Sequence, residues 1–460
     1  MNELPDGWAR APISELTAAG LFTDGDWVES KDQDPEGSIR LLQLADVGEG
    51  VFRDRSSRYL NDDAADRLGV TYVHPSDVLV ARMPDPIGRA CLAPAVGQRC
   101  ITVVDVCILR PGREIDSRWL MWALNSPRVH SAIAGMATGT TRKRISRKNL
   151  ATIELGVPPL PEQRRIVAAI DEYFSRLDAA DASLQRSAKQ LAKFGRRLLA
   201  SLLDVPFAPS LDTEEPTEQL PEGWNWRRAG DVCDGVVSGS TPQASDMIQG
   251  VGEVPFIKVY NLQFDGHLDF TIKPTFVSPE THASKLKRSR VVPGDVLTNI
   301  VGPPLGKISV VPATYSEWNI NQAIAAFKPS PELDGSFLSK LLLADVVMRP
   351  LLRTGKATAG QINLSISSCR RLWLPIPPLS EQRRLVPEID SSMAVCDSLL
   401  VDTQKAATRA AALRRSILAA AFSGRLVTQD PSDEPAAVLL ERIAAERAAS
   451  KPSRKTKSTS

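Results

Sequence analysis

The chain is short of the residues and patterns that usually announce chemistry. Its six cysteines, Cys91, Cys100, Cys107, Cys233, Cys369 and Cys396, form no C-x-x-C pair, which argues against a disulfide framework or a cysteine-built zinc site. Four histidines occur (His74, His130, His267, His282), scattered and outside any H-E-x-x-H pattern, so no metal site is expected. There is no G-x-S-x-G elbow and no glycine fingerprint after a strand for a dinucleotide or methyl-donor cofactor. An Asn-Pro-Pro-Tyr-like motif, the mark of amino-methyltransferases, is also missing. The segment GPPLGKIS from Gly302 has three residues between its glycines where a phosphate loop has four, and Ile308 stands where Ser or Thr is needed, so it reads as a turn. No catalytic constellation is expected.

No apolar run reaches membrane-spanning length, and the start MNELPDGW lacks a basic segment followed by an apolar core, so the expected location is the cytoplasm, without membrane partners. Charge of one sign is lacking too. With 56 basic and 54 acidic residues the net charge is +2, and only local clustering can speak for nucleic acid.

What is present is an ordinary globular composition, 43% hydrophobic and 24% charged, over 460 residues, a length suited to about three units at roughly 150 residues each. The dominant feature is an internal repeat. PPLPEQRRIVAAID from Pro158 returns as PPLSEQRRLVPEID from Pro377, an offset of 219. LPDGW at Leu4 returns as LPEGW at Leu220, IRLLQL at Ile39 parallels IKVYNL at Ile257, and DVLVARMPDPIGR from Asp77 parallels DVLTNIVGPPLGK from Asp295. A period this long means duplicated domains and not a solenoid.

The fold class expected is α+β: two pseudo-symmetric, mainly-β modules joined by a pair of long antiparallel coiled-coil helices. The first module covers 1–150 and the second 220–368, with short β-branched runs such as CITVVDVCIL and KISVVPA broken by Gly and Pro. Helices are expected within them at 117–125 and 336–348. The regions 151–205 and 369–425 carry the long helices, 206–219 reads as a Pro-rich acidic linker, and 426–460 as a loop, a short helix and a basic tail. Ile170, Leu177, Leu184, Leu191 and Leu198 recur every seven residues, and the second stripe includes Ile389, Cys396 and Ile417. Pro161 suits a first helical turn, Ser380 a cap, and Gly424 a C-terminal stop. Forty-odd residues give helices of roughly 60 Å, which need a partner. Pairing with each other is the simplest arrangement; packing of each helix on its own module is the alternative.

DNA readout needs side chains that pair with base edges and cations that neutralise phosphate. TGTTRKRISRKN from Thr138 supplies Arg142, Lys143, Arg144, Arg147 and Lys148, and the second half answers with Lys356, Gln361 and Asn363 in a polar, Gly-containing loop. Arg40 and Gln43 are matched with Lys258 and Asn261, and Arg89 with Lys307; Asn319 and Asn321 are added as amides suited to bases. Positions repeated in both halves rank above unrepeated ones, such as the run KLKRSR from Lys285.

Two copies of PPL-x-EQRR opening long helices, each behind a variable module, with the ending FSGRLVTQDPSDEPAAVLLERI from Phe422, resemble the specificity subunit of type I restriction-modification systems. The resemblance covers nearly the whole chain. It implies that each module is a target-recognition domain for half of a bipartite, asymmetric double-stranded DNA site, and that the helices act as spacer and docking site. By the same resemblance, this chain is a non-catalytic subunit whose partners are two methyltransferase subunits, bringing S-adenosylmethionine for adenine methylation, and restriction subunits using ATP and Mg, while this chain binds no cofactor. The competing readings are a single-chain nuclease or methyltransferase, and a coiled-coil adaptor that binds protein.

Overall fold

The computed structural model describes residues 4–84, 86–139, 142–358 and 361–449, with the backbone alone for 356–358 and 361. The basic tail expected at 451–460 lies outside the described residues. The chain forms two compact units, 1–183 with 406–460, and 184–405. Both helices and strands build each one.

In the first unit, strand Ala9–Pro12 pairs antiparallel with Glu154–Val157, the strand that runs into the first long helix. The second unit repeats this: Asn225–Arg228 pairs with Trp373–Ile376. Each LP-x-GW segment therefore leads into a strand that closes its module against the strand preceding PPL-x-EQRR. The first module holds a four-stranded antiparallel sheet ordered Leu21–Thr23, Val106–Arg110, Val78–Ala81, Ala90–Leu92. Its counterpart is Cys233–Ser238, Ile324–Pro329, Val296–Asn299, Ile308–Val310. A second sheet in each module contains one parallel pair, Ile39–Leu42 with Cys100–Thr102 and Val254–Ile257 with Trp318–Ile320. The run CITVVDVCIL is thus two strands, because the backbone turns at 103–105. The helix at 117–125 is found as Ser117–Leu124, but 336–348 divides into Gly335–Leu343 and Asp345–Arg353, with extended backbone at Ala344.

The repeated motif has a packing explanation. Gln163 and Gln382 are fully buried. Gln163 Oε1 accepts from the Asp116 N–H at 2.9 Å and Nε2 donates to the Pro158 carbonyl at 3.1 Å. Gln382 Oε1 accepts from the Asp334 N–H at 2.8 Å, and Nε2 donates to the Glu332 and Pro377 carbonyls. Asp116 and Asp334 are themselves the N-caps of Ser117–Leu124 and Gly335–Leu343, accepting N–H groups of the first turn. One glutamine per half therefore joins the start of the long helix to the cap of a core helix.

The long helices are Leu160–Leu203 and Leu379–Ala421. Pro161 lies in the first turn of one. Ser380 lies inside the first turn of the other and not at its cap, since the helix already begins at Leu379; the chain stays helical through Pro387. In the first unit, Arg414 pairs with Asp178 at 2.6 Å and Asp181 at 3.1 Å and covers the Phe174 ring, while Ile170, Ile417 and Leu418 join the core. In the second, Leu199 and Leu203 share a core with Leu385 and Ile389, and Gly195 is buried against Met393. Cys396 is buried and Leu177 partly so, but Leu184, Leu191 and Leu198 are only half-buried. The buried residue at the end of the stripe is Leu199.

Gly424 ends the second helix in the left-handed region, φ +71°, with Arg425 N–H on the Ala420 carbonyl, and a Cβ there would stand 2.3 Å from Pro5 Cγ. The segment expected as a linker is fastened: Val205, Ala208 and Leu211 are buried in the second unit, and Arg228 donates to the Leu211 and Thr213 carbonyls. In the first unit Ala436–Ala449 buries Leu439 and Ile443, and Arg165 pairs with Asp433 at 2.6 Å.

Candidate nucleic-acid interface

The segment before each long helix is a small hairpin. Thr138 and Arg144 exchange backbone hydrogen bonds at 2.9 and 2.8 Å, and Lys356–Thr358 pairs with Gln361–Asn363 in the second unit. A short helix follows each, Arg147–Ala151 and Ile366–Arg370, capped by Ser146 and Ser365 through their hydroxyls. The described flanks of the segments expected as loops are therefore β-paired.

The basic residues of the first hairpin divide into two sets. Arg144 pairs with Asp105 at 2.9 Å, and Arg147 lies 3.6 Å from Asp24 and donates to the Phe22 carbonyl. Arg142, Lys143 and Lys148 are exposed and have no hydrogen-bond or ion-pair partner among the described residues. In the second hairpin Asn363 is half-buried, and the side chains of Lys356 and Gln361 lie outside the described part.

Four of the amides and cations expected to face DNA are interior instead. Arg89, 4% exposed, spends its guanidinium on the carbonyls of Val47, Leu44, Met83 and Pro86. Arg40, 8% exposed, binds the Ser56 carbonyl and the Asp54 carboxylate. Asn261 is buried, capping the Lys258 N–H and donating to the Asp269 and Ile272 carbonyls. Asn319 is buried between His282 Nδ1, at 2.7 Å, and the Leu286 carbonyl. Lys307 is half-buried, and Nζ donates to the Val259 carbonyl at 3.2 Å; desolvation lowers its pKa. A buried donor without a partner is costly, and these side chains satisfy carbonyls that no strand pairs.

The matching of Arg40 with Lys258 and of Gln43 with Asn261 is also corrected. Leu42 lies opposite Thr102 and Ile257 opposite Ile320, which makes Gln43 the equivalent of Lys258 and Asp46 the equivalent of Asn261, at an offset of 215. Both Asp46 and Asn261 accept the N–H three residues before them. Under this register Arg89 and Lys307 reach equivalent carbonyls, those of Leu44 and Val259. Gln43, Lys258 and Asn321 remain half-buried; Asn321 Oδ1 has no hydrogen-bond partner among the described residues.

Repetition as a guide passed over one basic run, RDRSSR at 53–58, visible in the sequence but without a counterpart in the second half. All six cysteines are buried and unpaired, and burial pushes the thiols of Cys91, Cys233 and Cys369 up to about 12. Among the described residues no cluster of His, Cys, Asp or Glu is arranged to hold a metal ion, and no helix is long and apolar enough to cross a membrane.

Two copies of one module, each followed by a β-paired segment, a short helix and a long helix, define a duplicated scaffold. The family model described as the type I restriction modification DNA specificity domain matches residues 43–185 and again 221–396, and the chain belongs to that family. It is 26% identical to the type I restriction enzyme EcoBI specificity subunit of Escherichia coli, over 97% of this chain and 93% of that one. Identity to the EcoKI specificity subunit of Escherichia coli (strain K12) is 22%, over 98% and 97%. A chain from a solved structure of a type I R-M system shares the fold, with a TM-score of 0.63 at 20% identity, over 92% of this chain and all of that one.

Proposed function

We propose that this chain is the non-catalytic DNA-reading subunit of a type I restriction-modification complex. Each module reads one half of a bipartite, asymmetric target. The observation that carries this reading is the pair of four-stranded sheets with the same strand order, built by two halves that differ in sequence between their shared motifs. Arg142, Lys143 and Lys148 supply phosphate contacts in the first module, and Lys356, Gln361 and Asn363 mark the corresponding place in the second.

The long helices are the spacer, running antiparallel. This is supported inside each unit: Asp178, in the first half of one helix, pairs with Arg414, near the end of the other, and Leu199 and Leu203, at the end of the first helix, share a core with Leu385 and Ile389, near the start of the second. The exposed apolar side chains Tyr173, Phe194, Val395, Leu399, Val401 and Leu413 along these helices suit docking of methyltransferase subunits, two in number, with restriction subunits joining them. Those partners bring S-adenosylmethionine, ATP and Mg, in the cytoplasm.

Changing Arg142, Lys143 and Lys148 together to Ala weakens DNA binding by the assembled chain and flattens its salt dependence by up to about 3 in slope. Unchanged binding refutes the contact assignment. Absence of any sequence-specific binding by the wild-type chain with its methyltransferase partner refutes the function.

A further inference from the structure

Residues 53–58 of the first unit carry Arg53, Arg55 and Arg58, all exposed. Arg53 and Arg55 have no side-chain hydrogen-bond or ion-pair partner among the described residues, and Arg58 reaches Gln33 Oε1 at 3.4 Å. A basic run on a surface is ordinarily just solvated. Two observations separate this one from that case.

The loop is fastened from beneath by a buried charge. Asp46 is fully buried, and its carboxylate accepts the N–H groups of Gln43, Arg55 and Ser56, each at 2.7 Å, together with the Ser56 hydroxyl. Arg53 N–H adds a bond to the Asp46 carbonyl, also 2.7 Å. Arg40, stacked over Phe52, grips the loop at Asp54 and at the Ser56 carbonyl, 2.8 Å. Asp54 is held at φ +47°, a region L-residues disfavour. Burying a carboxylate and a guanidinium is expensive unless their bonding capacity is used. Here it is spent on fixing one short solvent-facing loop in a single shape.

The second unit repeats the fastening with different cargo. Asn261, in the place of Asp46, holds the Lys258 N–H and the carbonyls of Asp269 and Ile272. Asp269 N–H returns to the Asn261 carbonyl just as Arg53 N–H returns to that of Asp46. The segment so held, LDFTIK from Leu268, contains one cation, Lys273. A common anchor beneath a changed outer face is what a presented surface requires and a packing loop does not.

We propose that residues 53–58 form a phosphate-binding loop: Arg53, Arg55 and Arg58 contact the DNA backbone beside the half-site read by the first module, with Asp46 and Arg40 as positioning residues. This rests on the DNA-reading function proposed above. The loop carries three cations, the Ser57 hydroxyl left over once Ser56 is bound to Asp46, and one carboxylate, Asp54, whose charge is paired with Arg40; with no amide side chain among them, these groups suit phosphate oxygens and not adenine edges.

The test uses the full chain assembled with its methyltransferase partner. Binding is measured between 50 and 200 mM salt on one duplex carrying the mapped target and one lacking it. Changing the three arginines to Ala lowers affinity for both duplexes alike and reduces the slope of log K against log salt by about 0.9 per arginine, with the methylated sequence unchanged. Changing them to Lys restores slope and affinity, since a point charge serves phosphate while a bidentate base contact needs the guanidinium fork. Wild-type affinity and slope in the Ala variant overturn the proposal and leave the DNA-reading function standing. A changed methylation sequence, or failure of Lys to rescue, overturns the assignment to phosphate. Because the three side chains are exposed, circular dichroism of each variant should match the wild type.

Discussion

Replacing Gln163 by Leu removes a buried amide while keeping its volume. The Asp116 N–H and the Pro158 carbonyl then lose their partner, at about 1–3 kcal/mol for each unsatisfied group. Leu offsets part of this by burying apolar surface, leaving a net loss of about 2–4 kcal/mol. Gln382 serves three backbone groups, so Gln382→Leu should cost somewhat more, about 3–5 kcal/mol. A chain of two units need not unfold in one step, so a single melting midpoint is a poor readout. Native-state hydrogen exchange resolves the effect. Gln163→Leu should raise exchange in Ser117–Leu124 and the strands packed on it, and Gln382→Leu in Gly335–Leu343. A loss below about 1 kcal/mol in both variants, or exchange spread evenly over both units, would refute the claim that these glutamines tie each long helix to its own core.

Gly424→Ala forces a Cβ to within 2.3 Å of Pro5 Cγ and into a left-handed backbone, so a loss of about 2–4 kcal/mol is expected, read as earlier proteolysis of the first unit. Burial opposes ionisation of Asp46, but the hydrogen bonds from Gln43, Ser56 and Arg55 outweigh it and hold its pKa below the ordinary 3.8. Its contribution to stability is therefore complete above pH 3.8 and is lost as pH falls through the lower folded-state value. The stability gap between wild type and Asp46→Asn should narrow on acidification; a gap independent of pH between 6 and 3 contradicts this. Adding or removing a heptad within 165–203 should change the spacing between half-sites, expected about one helical turn or roughly 34–36 Å apart, and leave their bases unchanged. Methylation mapping that finds altered bases would refute the spacer role.

The duplication, the two long helices and the family were legible because PPL-x-EQRR and LP-x-GW serve backbone packing, which tolerates little change: Gln163 and Gln382 each hold a cap residue, and the strand after LP-x-GW closes each module. Register within the modules was less legible. Arg40 and Lys258 look alike, yet the parallel strand pairing makes Gln43 the equivalent of Lys258, and chemical likeness cannot reveal which strand a residue faces. The readiness of Arg89, Asn261 and Asn319 to bond made them resemble DNA contacts, but irregular backbone in a β module also needs donors, and burial decides between the two uses. The heptad stripe misled at Leu198, since an α-helix drifts about 20° per heptad from a strict seven-residue repeat, and Leu199 takes the buried position. Residues 53–58 went unnoticed because their anchor is duplicated and their side chains are not.

The most direct measurement is adenine methylation mapped across the DNA of a methylation-free host making the methyltransferase partner alone, this chain alone, or both. Methylation of one bipartite motif only when both are present is the predicted result. Modification by this chain alone, or the same sites methylated without it, would contradict the central claim.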